Sequence, residues 1–200
     1  VEVYSYLKAA FSASNVKGCS PLTVSVTNNS AGDIDYYWFW DEENLDTTNA
    51  AHIDSTISDA SFTKTYVNNN SDTVQRKQLT LIVANSQGCT DTMHREITIY
   101  PEVTASFTPD SASGCNPYNV SFTNNSVYTG TSSNTNLSYS WGFGDGGSSS
   151  EFEPDHTFTN SLPADITYDV ELAVESNNGC VDTTDGNVTV HDYINAQFSV

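Results

Sequence analysis

The chain repeats itself. The segment GCSPLTVSVTNNS, Gly18 to Ser30, returns as GCNPYNVSFTNNS, Gly114 to Ser126, at a constant offset of 96. LTLIVANSQGCTDT, Leu79 to Thr92, returns as VELAVESNNGCVDT, Val170 to Thr183, at an offset of 91. ITIY, Ile97 to Tyr100, returns as VTVH, Val188 to His191. An opening phrase occurs three times: AAFSA ending at Ala13, ASFTP ending at Pro109 and AQFSV ending at Val200, with Phe11, Phe107 and Phe198 in equivalent places. Matched segments kept in the same order confine the fold to one unit of about 90 residues built twice in series. The expected boundaries are 1–102 for the first repeat (core 8–100), 103–193 for the second, and 194–200 for the first strand of a third. On this reading the chain is an internal piece of a longer array.

Within each copy the apolar residues alternate. Val24 and Val26, Tyr36, Trp38 and Trp40, Tyr139, Trp141 and Phe143, and Val170, Leu172 and Val174 each recur at every second position. Period-two alternation marks strands with one buried face. Helical periodicity is absent beyond one turn near Asp54 to Asp59. Six or seven such strands per copy predict a two-sheet sandwich of the immunoglobulin type. The expected fold class is therefore all-β, with tandem immunoglobulin-like sandwiches stacked end to end. Tyr100, Pro101 and Glu102 form a short joint, echoed by Asp192 and Tyr193, and Pro101 stiffens it by fixing φ. Strands of seven to nine residues imply a spacer of about 30–40 Å per domain.

Charge narrows the partners. Six Lys and Arg stand against 25 Asp and Glu, a net charge of −19. Such a chain is repelled by nucleic acid and by anionic lipid, which need cationic side chains. No apolar run approaches the ~20 residues that cross a bilayer, so membrane insertion is not expected. The four cysteines recur two per repeat, Cys19 with Cys89 and Cys115 with Cys180. No C-x-x-C pair suits zinc, and a catalytic thiol would not be duplicated with its repeat. One disulfide inside each domain is expected, contributing about 4 kcal/mol and requiring an oxidising, extracellular compartment. No H-E-x-x-H, G-x-S-x-G or phosphate loop occurs, and Glu42 with Glu43 lacks a partner. No catalytic residue and no enzymatic activity are expected.

The second repeat carries WGFGDGGSS (Trp141 to Ser149), then PDHTF (Pro154 to Phe158), then YDVELAVESNNGC. This resembles the PKD domain, an immunoglobulin-like module with the signature W-D-F-G-D-G, P-x-H-x-Y, Y-x-V-x-L-x-V. The resemblance extends over both repeats, although the first has YWFWDEEN (Tyr37 to Asn44) without the glycines, and Thr63 to Tyr66 in place of P-x-H-x-F. It implies that Trp141 and Phe143 point into the sandwich. It further implies that Gly144, Gly146 and Gly147 adopt positive φ around Asp145, and that His156 packs or hydrogen-bonds beside that turn. Some PKD domains bind calcium near such turns. No cofactor is required, and calcium is the one candidate, with Asn28, Asp33 and Asp41 in the first repeat and Asn124 and Asp145 in the second as its oxygen donors.

The GC-x-P opening and the GC-x-D-T strand resemble PKD repeats of very large Bacteroidota cell-surface proteins, including gliding-motility adhesins. That resemblance implies a filament-forming adhesin outside the cell. Its partners would be neighbouring repeats, surface polysaccharide or other filaments. It also draws attention to D-[ST] triplets similar to an O-glycosylation sequon, with acceptors Thr47, Ser55, Thr73, Thr92, Ser111 and Thr183. The alternative is a carbohydrate-binding accessory module of a secreted polysaccharidase or protease, for which Tyr36 to Trp40 and Tyr128 supply the candidate aromatic platform.

Overall fold

A computed structural model describes residues 7–31, 35–40, 61–68, 74–128 and 137–192. Asp33, Asp41, Thr47, Ser55, Thr73, Phe198 and the segment 194–200 lie outside the described residues. The chain divides into two compact units, Val1–Glu102 and Val103–Val200. Among the described residues, regular structure is entirely β-strand.

The first unit contains β1 (Phe11–Ala13), β2 (Lys17–Cys19), β3 (Leu22–Asn28), β4 (Asp35–Phe39), β5 (Phe62–Tyr66), β6 (Gln75–Ala84) and β7 (Thr90–Tyr100). One sheet runs β1-β3-β5 and the other β2-β7-β6-β4. Alternation places Leu22, Val24 and Val26 inward from β3, and Leu79, Leu81 and Val83 inward from β6. Trp38 lies fully buried between the sheets, with Phe11 edge-on at 5.2 Å and Phe62 edge-on at 5.0 Å. Each of these large side chains contributes roughly 1.5–3 kcal/mol by leaving water. The alternation has local exceptions, among them Thr98, buried between Ile97 and Ile99 on β7. Phe39 and Thr80, paired across β4 and β6, are buried on the opposite face of that sheet.

The second unit contains β8 (Val103–Thr104), β9 (Phe107–Pro109), β10 (Ser113–Cys115), β11 (Tyr118–Asn124), β12 (Val127–Tyr128), β13 (Leu137–Gly142), β14 (Ser148–Ser149), β15 (Asp155–Phe158), β16 (Ile166–Ser176) and β17 (Val181–His191). Its sheets are β15-β11-β9 and β10-β17-β16-β13-β14, with a small β12-β8 ribbon. Val120, Phe122, Trp141, Phe143, Phe158, Val170, Leu172 and Val174 form its interior. Phe107 meets Trp141 at 5.2 Å and 66°, reproducing the contact of Phe11 with Trp38 at 67°.

The repeated polar phrase T-N-N-S turns out to be a clamp on the chain entering the equivalent strands β1 and β9. Asn28 Oδ1 accepts the Ser30 amide, and Ser30 Oγ accepts the Ala10 amide while donating to the Ala10 carbonyl. Asn124 and Ser126 do the same with Ser106. A second carboxylate clamp completes it: Asp91 Oδ2 accepts the Ala9 amide and Asp182 Oδ2 the Ala105 amide, both at 2.8 Å. Strands β1 and β9 each pair along only three residues. The side-chain bonds satisfy backbone groups that such a brief ladder would leave unpaired.

Candidate functional site: the cysteine turns and the Gly-Asp-Gly loop

The two cysteines of a unit stand at opposite ends of its sandwich. Cys19 ends β2, which runs parallel to β7 with Cys19 opposite Tyr100. Cys89 immediately precedes Thr90, the first residue of that same β7. The second unit repeats the arrangement, with Cys115 opposite His191 and Cys180 immediately before Val181. Ten or eleven residues of extended strand separate the two positions, about 33–36 Å. A disulfide needs Cα atoms about 6 Å apart. The pairings Cys19–Cys89 and Cys115–Cys180 expected from the sequence are therefore excluded by strand direction. Cys89 and Cys115 carry free, exposed thiols, whereas Cys19 and Cys180 are disulfide-bonded.

Each hairpin cysteine is held by the same turn. In the first unit the Asn85 amide donates to the Cys89 carbonyl, and Asn85 Oδ1 accepts the Cys89 amide at 2.9 Å. In the second, the Ser176 amide donates to the Cys180 carbonyl, and Ser176 Oγ accepts the Cys180 amide at 3.2 Å. Gly88 and Gly179 precede the cysteines at φ +81° and +77°, the left-handed conformation that lets so short a turn close. At the other end, beside Cys19 and Cys115, each unit buries an asparagine. Asn68 Nδ2 donates to the Ile99 carbonyl, and Asn160 Nδ2 to the Val190 carbonyl, both at 3.0 Å. Asn160 also donates to the Ala164 carbonyl, and its Oδ1 accepts the Leu162 amide. Replacing Asn160 by Ala strands buried carbonyls, and a loss of about 2–3 kcal/mol from the second unit is expected in urea titration.

Around the Gly-Asp-Gly loop, β13 and β14 form a hairpin closed by the Phe143 amide donating to the Gly147 carbonyl at 3.1 Å. Gly144 and Gly146 have φ of +74° and +93°. Gly147 does not share this conformation. Its constraint is crowding, since a Cβ there would lie 2.6 Å from the His156 ring. His156 stacks on Phe143 at 3.9 Å and meets Phe158 edge-on at 4.6 Å. Its Nε2 lies 2.8 Å from Asp145 Oδ2, and Asp145 Oδ1 accepts the Gly147 amide. In the first unit Lys64 occupies the position of His156, since Val24 faces Lys64 as Val120 faces His156. Lys64 Nζ sits 5.3 Å over the Trp40 ring, so a cation–π contact replaces the imidazole stack.

Partial burial alone would raise the pKa of Asp145, but the His156 hydrogen bond, the Gly147 amide and the nearby imidazole charge outweigh it. The carboxyl is held below its ordinary value. A depressed carboxylate contributes stability above the unfolded-state pKa and loses it as pH falls through the folded one. The second unit should accordingly lose about 1 kcal/mol below roughly pH 4, and Asp145→Asn should flatten that part of a stability–pH curve measured in urea.

The candidate calcium donors are engaged by the protein itself. Asn124 is buried, with Oδ1 on the Ser126 amide and Nδ2 on the Phe152 carbonyl. Asn28 Oδ1 is on Ser30, and Asp145 is shared between His156 and Gly147. Among the described residues no three His, Cys, Asp or Glu side chains gather as a metal site. Thr92, Ser111 and Thr183 are exposed, but the aspartates of the Thr92 and Thr183 triplets are the strand clamps described above. The aromatic platform is mostly interior: Trp38 and Phe39 are buried, and Tyr36, Tyr37, Trp40 and Tyr128 are half-buried.

Two sandwiches with shared clamps, shared asparagines and equivalent cysteine turns define a tandem immunoglobulin-like repeat protein. Residues 101–190 match the PKD domain family model. Among solved structures, the chain is similar to the PKD1 domain of Vibrio anguillarum Epp, with 28% identity over 45% of this chain and 94% of that one, at a TM-score of 0.35. It is similar to the PKD1 domain of the Vibrio cholerae metalloprotease PrtV, with 28% identity over 47% and 100% of the two chains, also at 0.35. Fibronectin(III)-like modules of Clostridium thermocellum CbhA align over 94% of this chain and 100% of theirs, at 10% identity and a TM-score of 0.36. No curated protein matches the chain.

Proposed function

We propose that the chain is a non-catalytic segment of a semi-rigid extracellular filament or stalk, belonging to a large bacterial cell-surface adhesin used for attachment and gliding. The observation that carries this reading is that the repeated residues are spent internally. The T-N-N-S clamps, Asp91 and Asp182, and Asn68 and Asn160 all hold their own unit together. A chain repeated for its architecture keeps such residues, whereas a chain repeated for a ligand keeps a surface. The disulfide state of Cys19 and Cys180 fits an oxidising compartment, and the net charge of −19 favours mutual repulsion between long surface molecules. Neighbouring repeats are its partners on this reading.

One observation favours a carbohydrate-binding accessory role instead. A cleft of about 340 Å³ in the first unit is lined by Trp40, Lys64 and Gln75 among others, and sugars stack on indole rings. The Trp40 face is already taken by Lys64 and its edge by Phe62, which favours the stalk. Incubation with chitin, cellulose and agarose should leave the chain in the supernatant. In the parent protein, exchanging this segment for an unrelated pair of sandwiches should preserve surface attachment. Retention on a polysaccharide, or loss of attachment after the exchange, would overturn the stalk reading.

A further inference from the structure

We propose that Met93 is an oxidation site that controls β1: a peroxide that converts its thioether to the sulfoxide loosens this strand of the first unit and leaves the second unit intact. Strand β1 is held from two sides. Its backbone pairs with β3 over Phe11, Ser12 and Ala13. Two amides at its start are held instead by side chains of β7, a strand of the other sheet. Asp91 Oδ2 accepts the Ala9 amide at 2.8 Å, and two residues on, Met93 Sδ accepts the Phe11 amide at 3.2 Å. A thioether is a weak acceptor, so this second bond depends on close approach rather than on charge. Met93 packs against the core cluster that Phe11 and Trp38 share. It is nevertheless only half-buried, which leaves a small oxidant a path to the sulfur. It is also the single methionine of the chain. In the second unit Thr184 stands opposite Leu172 as Met93 stands opposite Leu81. There the Asp182 bond to Ala105 is kept, and the residue in the place of Met93 has no sulfur to oxidise.

In the oxidation a sulfur lone pair attacks one oxygen of the peroxide. The S–O bond forms as the O–O bond breaks, and sulfur gives up two electrons. With hydrogen peroxide the second oxygen leaves with both protons as water. The new sulfoxide oxygen has two places to go, and both loosen β1. Directed at the Phe11 amide, it needs about 2.9 Å between itself and the nitrogen, where the sulfur already sits 3.2 Å from that nitrogen. The strand then has to move away from β7. Directed elsewhere, it sets a strong dipole against apolar neighbours and takes the acceptor from the amide of Phe11, a residue 4% exposed. This inference does not rest on the stalk reading.

Once the free thiols of Cys89 and Cys115 are alkylated, hydrogen peroxide acting on the folded chain should give a digest in which Met93 is recovered as the sulfoxide. Hydrogen exchange read by mass spectrometry should then be about tenfold faster over residues 9–13 and unchanged over residues 105–109. The calorimetric transition of the first unit should fall by about 5–10 °C. Methionine sulfoxide reductase should restore both. Met93→Leu, which nearly keeps the side-chain volume, should show no response to peroxide. Three results would overturn the proposal: unaltered exchange over residues 9–13 once the sulfoxide has formed, resistance of Met93 to peroxide in the folded chain, or the same loosening in the treated Met93→Leu chain.

Discussion

Replacing Trp141 by Ala should move the calorimetric unfolding of the second unit down by about 20 °C and leave that of the first in place. Trp141 is 1% exposed and touches Phe107, Phe122 and Phe143 at 5.2, 5.5 and 6.5 Å. Its Nε1 donates to the Glu151 carbonyl at 2.9 Å, which ties the chain after β14 back to the core. Truncation to Ala in such a setting costs about 3–5 kcal/mol in packing and cavity. A domain of this size holds only about 5–13 kcal/mol in total, and each kcal/mol corresponds to roughly 4–8 °C. The smaller change Trp141→Phe keeps an aromatic ring in the core but removes the Nε1 donor, and should still cost the second unit about 1 kcal/mol or more. An unchanged urea midpoint would show that the Glu151 bond contributes nothing.

The aromatic core and the cysteines were read from the same repeat with opposite success, for a physical reason. Alternation fixes which face a side chain takes, so Val24, Val26, Trp38, Leu172 and Val174 could be placed inside from sequence alone, and all are buried. It does not fix where along the sandwich a residue lies. Cys19 and Cys89 recur together, which made them look like a pair, but pairing depends on the direction of β7. That strand carries Tyr100 to the Cys19 end and leaves Cys89 at the other. The eleven residues of β7 from Thr90 to the end of ITIY at Tyr100 set that distance. The asparagines left a fainter trace. Asn68 and Asn160 each follow an aromatic residue by two positions, Tyr66 and Phe158, and nothing in a polar loop residue announces that it will be buried.

His156 shows how far a motif can be read. Its place beside the loop followed from the family signature, but the stack on Phe143 and the bond to Asp145 are facts of packing. The first unit reaches a related contact with Lys64 over Trp40. What is kept between the copies is a flat or cationic group covering the aromatic residue two places after the core Trp. A pattern of residue identities could not have shown that equivalence, because the two solutions share no side chain.

Gly144 is where backbone, rather than side chain, decides the second unit, and Gly144→Ala should cost it about 3 kcal/mol. At φ +74° an L-residue pays roughly 1–2 kcal/mol for the left-handed conformation. The larger obstacle is space: a Cβ there would lie 2.5 Å from the Asp169 carbonyl oxygen and 3.0 Å from its nitrogen. Those atoms belong to β16, where Asp169 is held in the ladder with β17 opposite Asn187, so relief requires pulling the loop off the sheet. Gly146 supplies the control, because its φ is +93° but a Cβ there meets nothing within 4 Å. Gly146→Ala should cost about 1–2 kcal/mol, the conformational part alone. The difference between the two variants, read as a shift in the urea midpoint of the second unit, measures the contact with β16. If the two variants fall together, close approach to Asp169 is not what selects glycine in the W-x-F-G turn, and positive φ is sufficient.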